Sequence, residues 1–131
     1  MKTNYIFVYG TLMQSSGHAM HKKLSDGSEF ISSGWLQGQL YQIHDYPGVI
    51  ESDAVSDRVY GEVYRLTDLT LLRQLDDFEQ CSHAFPEPHE YLRKTVNITL
   101  QSGEKLRAWA YIYNYPVDPA RRIISGDFHG R

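Results

Sequence analysis

Apolar positions along the chain recur first every second residue, then every third or fourth, then every second again. Residues 4 to 9 are rich in β-branched and aromatic types and read as a strand, which Gly10 ends ahead of a polar run from Gln14 to Gly17. Gly10 is expected to supply a backbone conformation that a side chain would forbid. Residues 17 to 24 fit a short helix with Met20 and Leu24 on one face. Phe30 to Ile43 reads as strand, with Gly34 and Gly38 marking a bulge or sharp bend. His44-Asp45-Tyr46-Pro47-Gly48 is a turn signal. Val59 to Arg65 alternates, placing Val59, Gly61, Val63 and Arg65 on one side and Tyr60, Glu62, Tyr64 and Leu66 on the other.

The period then lengthens. Thr67 is placed to cap a helix, Asp68 falls in its first turn, and Leu69, Leu72, Leu75 and Phe78 recur at helical spacing. After an irregular loop with Pro86 and Pro88, Tyr91 to Leu100 is again a strand, with Leu92, Val96, Ile98 and Leu100 on one face. Gln101-Ser102-Gly103-Glu104 turns it into a returning strand, Leu106 to Tyr113, stopped by Pro116 and Pro119. The tail from Arg121 reads as a short turn or helix around Ile123 and Ile124. Many short strands with one strong helix give an α+β domain spanning 1–131, built on a small, strongly curved and largely antiparallel sheet. A parallel βαβ architecture is disfavoured, because one connection alone looks long and helical.

Within that pattern Glu79 is out of place. It follows Leu75 by four residues and Leu72 by seven, on the apolar stripe of the helix. Burial, the negative end of the helix dipole and like charge from Asp76 and Asp77 would each raise its pKa, making it a general acid or base near neutral pH. Two other readings compete: a helix that frays at Phe78 and leaves Glu79 in water, or an ion pair with Arg93 or another base. Asp77, four residues after Arg73, reads as half of a surface pair.

Composition narrows the chemistry. The 131 residues carry a formal charge of -3 and no basic run, which argues against a nucleic-acid partner. No stretch approaches membrane-spanning length and the N-terminal apolar run is too short for a signal sequence, so the expectation is a cytoplasmic protein with no membrane partner. Cys81 is the chain's one cysteine, so no internal disulfide forms. Ten tyrosines suit an aromatic-lined pocket or simply well-packed strands. His18 with His21, and His83 with His89, meet no established metal spacing, and nothing in sequence orients Cys81 and His83 as a nucleophile pair. No phosphate-binding glycine loop is present.

Tyr9-Gly10-Thr11-Leu12 and Leu75-Asp76-Asp77-Phe78-Glu79 together resemble the γ-glutamylcyclotransferase-like family, in its AIG2-like and γ-glutamylamine cyclotransferase branch. Gly38-Gln39-Leu40-Tyr41, Tyr46-Pro47-Gly48, Val59 to Tyr64, Tyr91-Leu92-Arg93, Trp109 to Tyr113 and Ile124 to Phe128 agree in order and spacing. Two positions depart: Gln80 stands where the family often has glycine, and Phe128 where it often has tryptophan. The resemblance implies a mixed fold around a small β-barrel. It also implies that the backbone of Tyr9, Gly10, Thr11 and Leu12 holds a glutamyl carboxylate, and that Glu79 is the acid/base group. Tyr91, Arg93 and Tyr113 share sheet faces and are carried as further pocket candidates. The implied reaction cyclises a γ-glutamyl amine or peptide to 5-oxoproline and a free amine, and needs no metal or other cofactor. A non-catalytic module that binds a small ligand, and a related acyl-group transfer or removal step, remain as alternatives.

Overall fold

The computed structural model describes residues 3–10, 12–13, 19–82 and 84–129. Seven strands and two α-helices follow in the order β1 (Tyr5–Val8), α1 (Ala19–Asp26), β2 (Ser28–Gln42), β3 (Pro47–Glu51), β4 (Arg58–Leu66), α2 (Leu71–Phe78), β5 (Tyr91–Leu100), β6 (Lys105–Tyr113) and β7 (Arg122–Ile123), with a 3-10 turn at Pro119–Arg121. Strands β2, β4, β1, β6 and β5 are hydrogen-bonded in that order, and β5 pairs back onto β2, closing a five-stranded barrel. The β1–β6 pairing is parallel and the other barrel pairings are antiparallel. Closure removes the exposed edges that an open sheet would present.

The long β2 makes closure possible. Its register with β4 shifts between Phe30 and Ser32, a bulge that bends the strand. Further along, Gly34 faces both Gly61 on β4 and Leu100 on β5. A Cβ on Gly34 would sit 2.7 Å from the Thr99 carbonyl oxygen, so glycine is needed where three strands converge. The far end of β2 carries β3 and β7 as partners outside the barrel ring. Strand β3 occupies part of the segment read as a turn: the bend covers residues 44 to 46, and Pro47 already pairs with Gln42.

Two apolar clusters divide the interior. The first fills the barrel with Phe7, Tyr9, Leu36, Leu40, Val59, Val63, Val96, Ile98, Ala108 and Ala110, among others. The second lies outside the barrel wall, where Leu71 and Leu75 of α2 pack with Ile6, Val8, Tyr64, Tyr91, Trp109 and Tyr111. Strand β1 therefore buries both faces, which is why its sequence reads as a continuous apolar run.

Several element ends differ from the periodic reading. Helix α2 begins at Leu71, not after Thr67: Asp68 Oδ1 accepts hydrogen bonds from the Thr70 amide and hydroxyl, while the Thr67 amide donates to the Gly27 carbonyl. Leu69 consequently stays exposed and Leu71 takes the buried position. Leu92 shares the face of Val96 and Ile98 but lies beyond the barrel interior and is exposed. The tail forms the short β7 against Leu40 and Tyr41, with Ile123 half-buried and Ile124 exposed.

Candidate active site

A cavity of about 440 Å³ opens between the end of β1, the start of β3, the end of α2 and the start of β5. Its walls include Tyr9, Gly10 and Leu12, Tyr46 and Pro47, Phe78 and Glu79, Glu90, Tyr91 and Tyr111. The two halves of the site read from sequence thus face one space. Thr11 lies outside the described residues.

Glu79 reaches the cavity because of how α2 ends. Its amide still donates to the Leu75 carbonyl, at 2.9 Å, so the helical path runs one residue past Phe78 and keeps Glu79 on the buried stripe. The Gln80 amide then donates to the Asp77 carbonyl and the Cys81 amide to the Asp76 carbonyl, the paired bonds of a Schellman turn. Gln80 occupies the left-handed position of that turn, with φ +58°. The turn forms without the glycine that the family often has there.

No described group donates a hydrogen bond to the Glu79 carboxylate. Burial raises its pKa to about 8, and the negative charge of Glu90 adds to the rise. The like charge thus comes from the loop before β5 and not from Asp76 or Asp77. Asp77 is exposed on the far side of the helix and makes no ion pair with Arg73 among the described residues.

The opposite wall is aromatic. The Tyr9 hydroxyl donates to the Tyr111 carbonyl at 2.6 Å, and burial and the Glu79 charge push its pKa well up, partly offset by the Val49 amide. The Tyr91 hydroxyl donates to the Pro47 carbonyl. The Tyr46 hydroxyl donates to Glu90 Oε2 at 2.6 Å, and the Tyr46 and Tyr91 ring centres lie 6.2 Å apart. Tyr46, Glu90 and Tyr111 were not singled out in sequence. The high tyrosine count was the available signal for the two tyrosines. Glu90 carries none, sitting at the end of an irregular loop.

Gly10 works differently from the expectation. It is buried, and its φ is not in the positive range. A Cβ there would meet the Pro47 ring at 2.6 Å, so the glycine admits β3 and forms the cavity wall by close approach. Its carbonyl lies 3.1 Å from His129 Nε2, bringing the tail against the same corner.

Arg93 and Tyr113 fall outside the cavity lining. Arg93 Nε and an Nη reach the two oxygens of Asp76 at 2.7 and 3.1 Å, and its guanidinium lies over the Trp109 ring. Tyr113 packs edge-on against Tyr91 and covers Gly48, where a Cβ would lie 2.8 Å from the ring. Each has a packing partner that holds it behind the wall. Arg93 therefore does not pair with Glu79, and Asp76, blander in sequence, is its actual partner.

Among the described residues no group of three histidine, cysteine, aspartate or glutamate side chains is gathered to hold a metal ion. Among the described residues no helix is long and apolar enough to cross a membrane.

The comparison with known proteins decides the family. The model described as "Gamma-glutamyl cyclotransferase, AIG2-like" matches residues 6–130. The chain belongs to that family. A relative from Methanocaldococcus jannaschii is 34% identical over 125 residues, covering 95% of this chain and 94% of its own. The γ-glutamylcyclotransferase family protein YtfP of Escherichia coli K12 is 32% identical over 133 residues and 96% of each chain. The solution structure of Escherichia coli ytfP superimposes with a TM-score of 0.63 over 97% of both chains. A bovine γ-glutamylaminecyclotransferase is 32% identical over 106 residues, 73% of this chain and 56% of its own length. The γ-glutamylcyclotransferase-like barrel, with its helix-borne Glu79 facing the end of the first strand, is thus the frame in which the cavity is read.

Proposed function

We propose that the protein is a γ-glutamyl cyclotransferase that converts a γ-glutamyl amine or peptide to 5-oxoproline and a free amine, with Glu79 as general acid and base. The observation that carries this reading is the Glu79 carboxylate in an aromatic cavity, without a hydrogen-bond donor among the described residues and with its pKa raised to about 8. The α-nitrogen of the substrate attacks the γ-carbonyl of the same molecule. One carbon–nitrogen bond forms to close the ring and the original amide bond breaks. The α-nitrogen goes from ammonium to ring amide and gives up two protons, and the departing nitrogen leaves as an ammonium with two more than it had. Glu79 takes a proton from the α-ammonium and delivers it to the departing nitrogen. Water carries the other.

A raised pKa suits both halves of that exchange. At pH 7 roughly a tenth of the free protein has Glu79 ionised and able to accept a proton. A bound ammonium beside it favours the ionised form further. Because nucleophile and electrophile share one molecule, the cavity's main task is to fold the substrate into a reactive shape. The backbone of Tyr9, Gly10, Thr11 and Leu12 is the proposed receiver of the glutamyl carboxylate, a reading supported by Tyr9, Gly10 and Leu12 lining the cavity with Glu79. Tyr91 shapes the facing wall.

The test is direct. Incubation with γ-glutamyl compounds should release 5-oxoproline, and Glu79→Gln should lower the rate by about a thousandfold with the fold intact. Full activity in that variant would refute the assignment. Turnover by the unaltered protein also separates an enzyme from a binding module.

A further inference from the structure

The cavity carries a charge asymmetry that the cyclisation itself does not require. Asp45, Glu79 and Glu90 all line it, and no described lysine or arginine does. Arg93, two residues beyond Tyr91 on β5, is already committed to Asp76. Glu79 and Glu90 are both half-buried, and Asp45 is exposed at the rim. Glu90 accepts the Tyr46 hydroxyl through Oε2, which leaves Oε1 without a hydrogen bond among the described residues. Its backbone is fixed by the Asn114 amide, which donates to its carbonyl at 2.7 Å. The Tyr46 and Tyr91 rings flank the same passage. Aromatic faces beside carboxylates favour a cation with an alkyl stem.

With the reacting end of the substrate against Glu79, the rest of the substrate must extend toward Glu90 and Asp45. A γ-glutamyl group bound as a zwitterion brings no net charge to offset those two carboxylates. An amino acid as leaving group would place a further carboxylate beside them. We propose that the cavity selects γ-glutamyl amides whose departing amine carries a second positive charge and no carboxylate, such as a diamine, with Glu90 and Asp45 as the groups that read it. This rests on the cyclotransferase reading above.

Three γ-glutamyl amides of matched length test it: those of cadaverine, hexylamine and 6-aminohexanoate, ending in an ammonium, a methyl and a carboxylate. The expected order of kcat/KM is cadaverine, then hexylamine, then aminohexanoate, with about tenfold between the first two, shrinking in salt. Glu90→Gln and Asp45→Asn should each reduce that preference, and Asp45→Lys, at an exposed position, should reduce it further or reverse it. If none of the three yields 5-oxoproline, the cyclotransferase reading fails on these substrates. The selectivity is then decided by calorimetric binding of the same amides to the Glu79→Gln protein. Tightest binding of the cadaverine amide supports the proposal. Equal or reversed affinities overturn it, as does a cation preference that survives all the Asp45 and Glu90 substitutions.

Discussion

Asp76 and Glu79 lie one helical turn apart on α2, and the surroundings of the two carboxylates differ in kind. On the Asp76 side, Oδ1 accepts from Arg93 Nε and from the Tyr111 hydroxyl, both at 2.7 Å, and Oδ2 accepts from the second Arg93 nitrogen. On the Glu79 side the carboxylate is half-buried, faces the like charge of Glu90, and has no described donor. The first arrangement fastens α2 to β5 and β6. The second holds a carboxyl group in a cavity where its charged form is disfavoured. Two like groups on one helix thus separate into one that fastens the helix and one whose charged form is disfavoured, according to whether the facing strands supply donors.

The sharpest way to break that contrast is to remove the charge from the cavity. Glu79→Gln should change stability in a pH-dependent way. In the unfolded chain the carboxyl titrates near its ordinary value of 4.5, and in the folded protein at about 8. Below about pH 4.5 it is neutral in both states and costs nothing. As pH rises toward 8 the unfolded chain releases the proton and the folded protein holds it, so stability falls, and above 8 the full penalty remains. The variant should therefore match the unaltered protein near pH 4 and exceed it by up to about 5 kcal/mol near pH 9, an upper limit because the cavity opens to water. Tm measured for both proteins from pH 4 to 9 checks this, and a constant difference across the range would contradict it.

Cutting the fastening should act in the opposite direction. Asp76→Ala leaves Arg93, with 23% of its side chain exposed, and the Tyr111 hydroxyl without their partner. The expected loss is about 3 kcal/mol. Because Tyr111 also receives the Tyr9 hydroxyl on its carbonyl, the aromatic wall should loosen as well. Arg93→Met added to Asp76→Ala should restore part of the loss, and urea denaturation of the two single variants and the double variant gives the coupling. A loss that is simply additive would show that the pair does not fasten the helix.

How much of this was legible in the sequence follows the same division. The strands at 59–66 and 91–100 and the helical stripe through Leu75 to Glu79 follow from local periodicity, because each buries one face against a neighbouring layer. The start of α2 was displaced from Thr67 to Leu71 because Asp68 closes a local turn around Thr70, a side-chain hydrogen bond that competes with capping. Strand β3 was hidden inside a proline-glycine turn signal, since pairing with β2 is a tertiary choice. Within the site, Glu79 declared itself by sitting on an apolar stripe. Glu90 did not, because it lies far from Tyr46 in sequence and meets it only after closure of the barrel. Arg93 and Tyr113 share the sheet face of Tyr91, but sharing a face does not fix which side chains reach a cavity and which are drawn off by Asp76 or laid over Gly48.

The turn that joins the two regions offers the smallest and cleanest effect. Gln80 holds φ +58°, a conformation that costs a residue with a Cβ about 1 kcal/mol relative to glycine. Its amide and that of Cys81 nevertheless complete the Schellman turn, so the geometry is set by α2 and its carbonyls and not by the residue type at the turn. Gln80→Gly should therefore relieve local strain, though added freedom in the unfolded chain offsets part of the gain, leaving a net stabilisation of up to about 1 kcal/mol. The aim of Glu79 should be unchanged, so for the proposed cyclisation the pH at which 5-oxoproline release is half-maximal should stay put while the denaturation midpoint rises. A shift of that pH with no change in stability would mean that the Gln80 side chain itself acts on Glu79 across the cavity they both line.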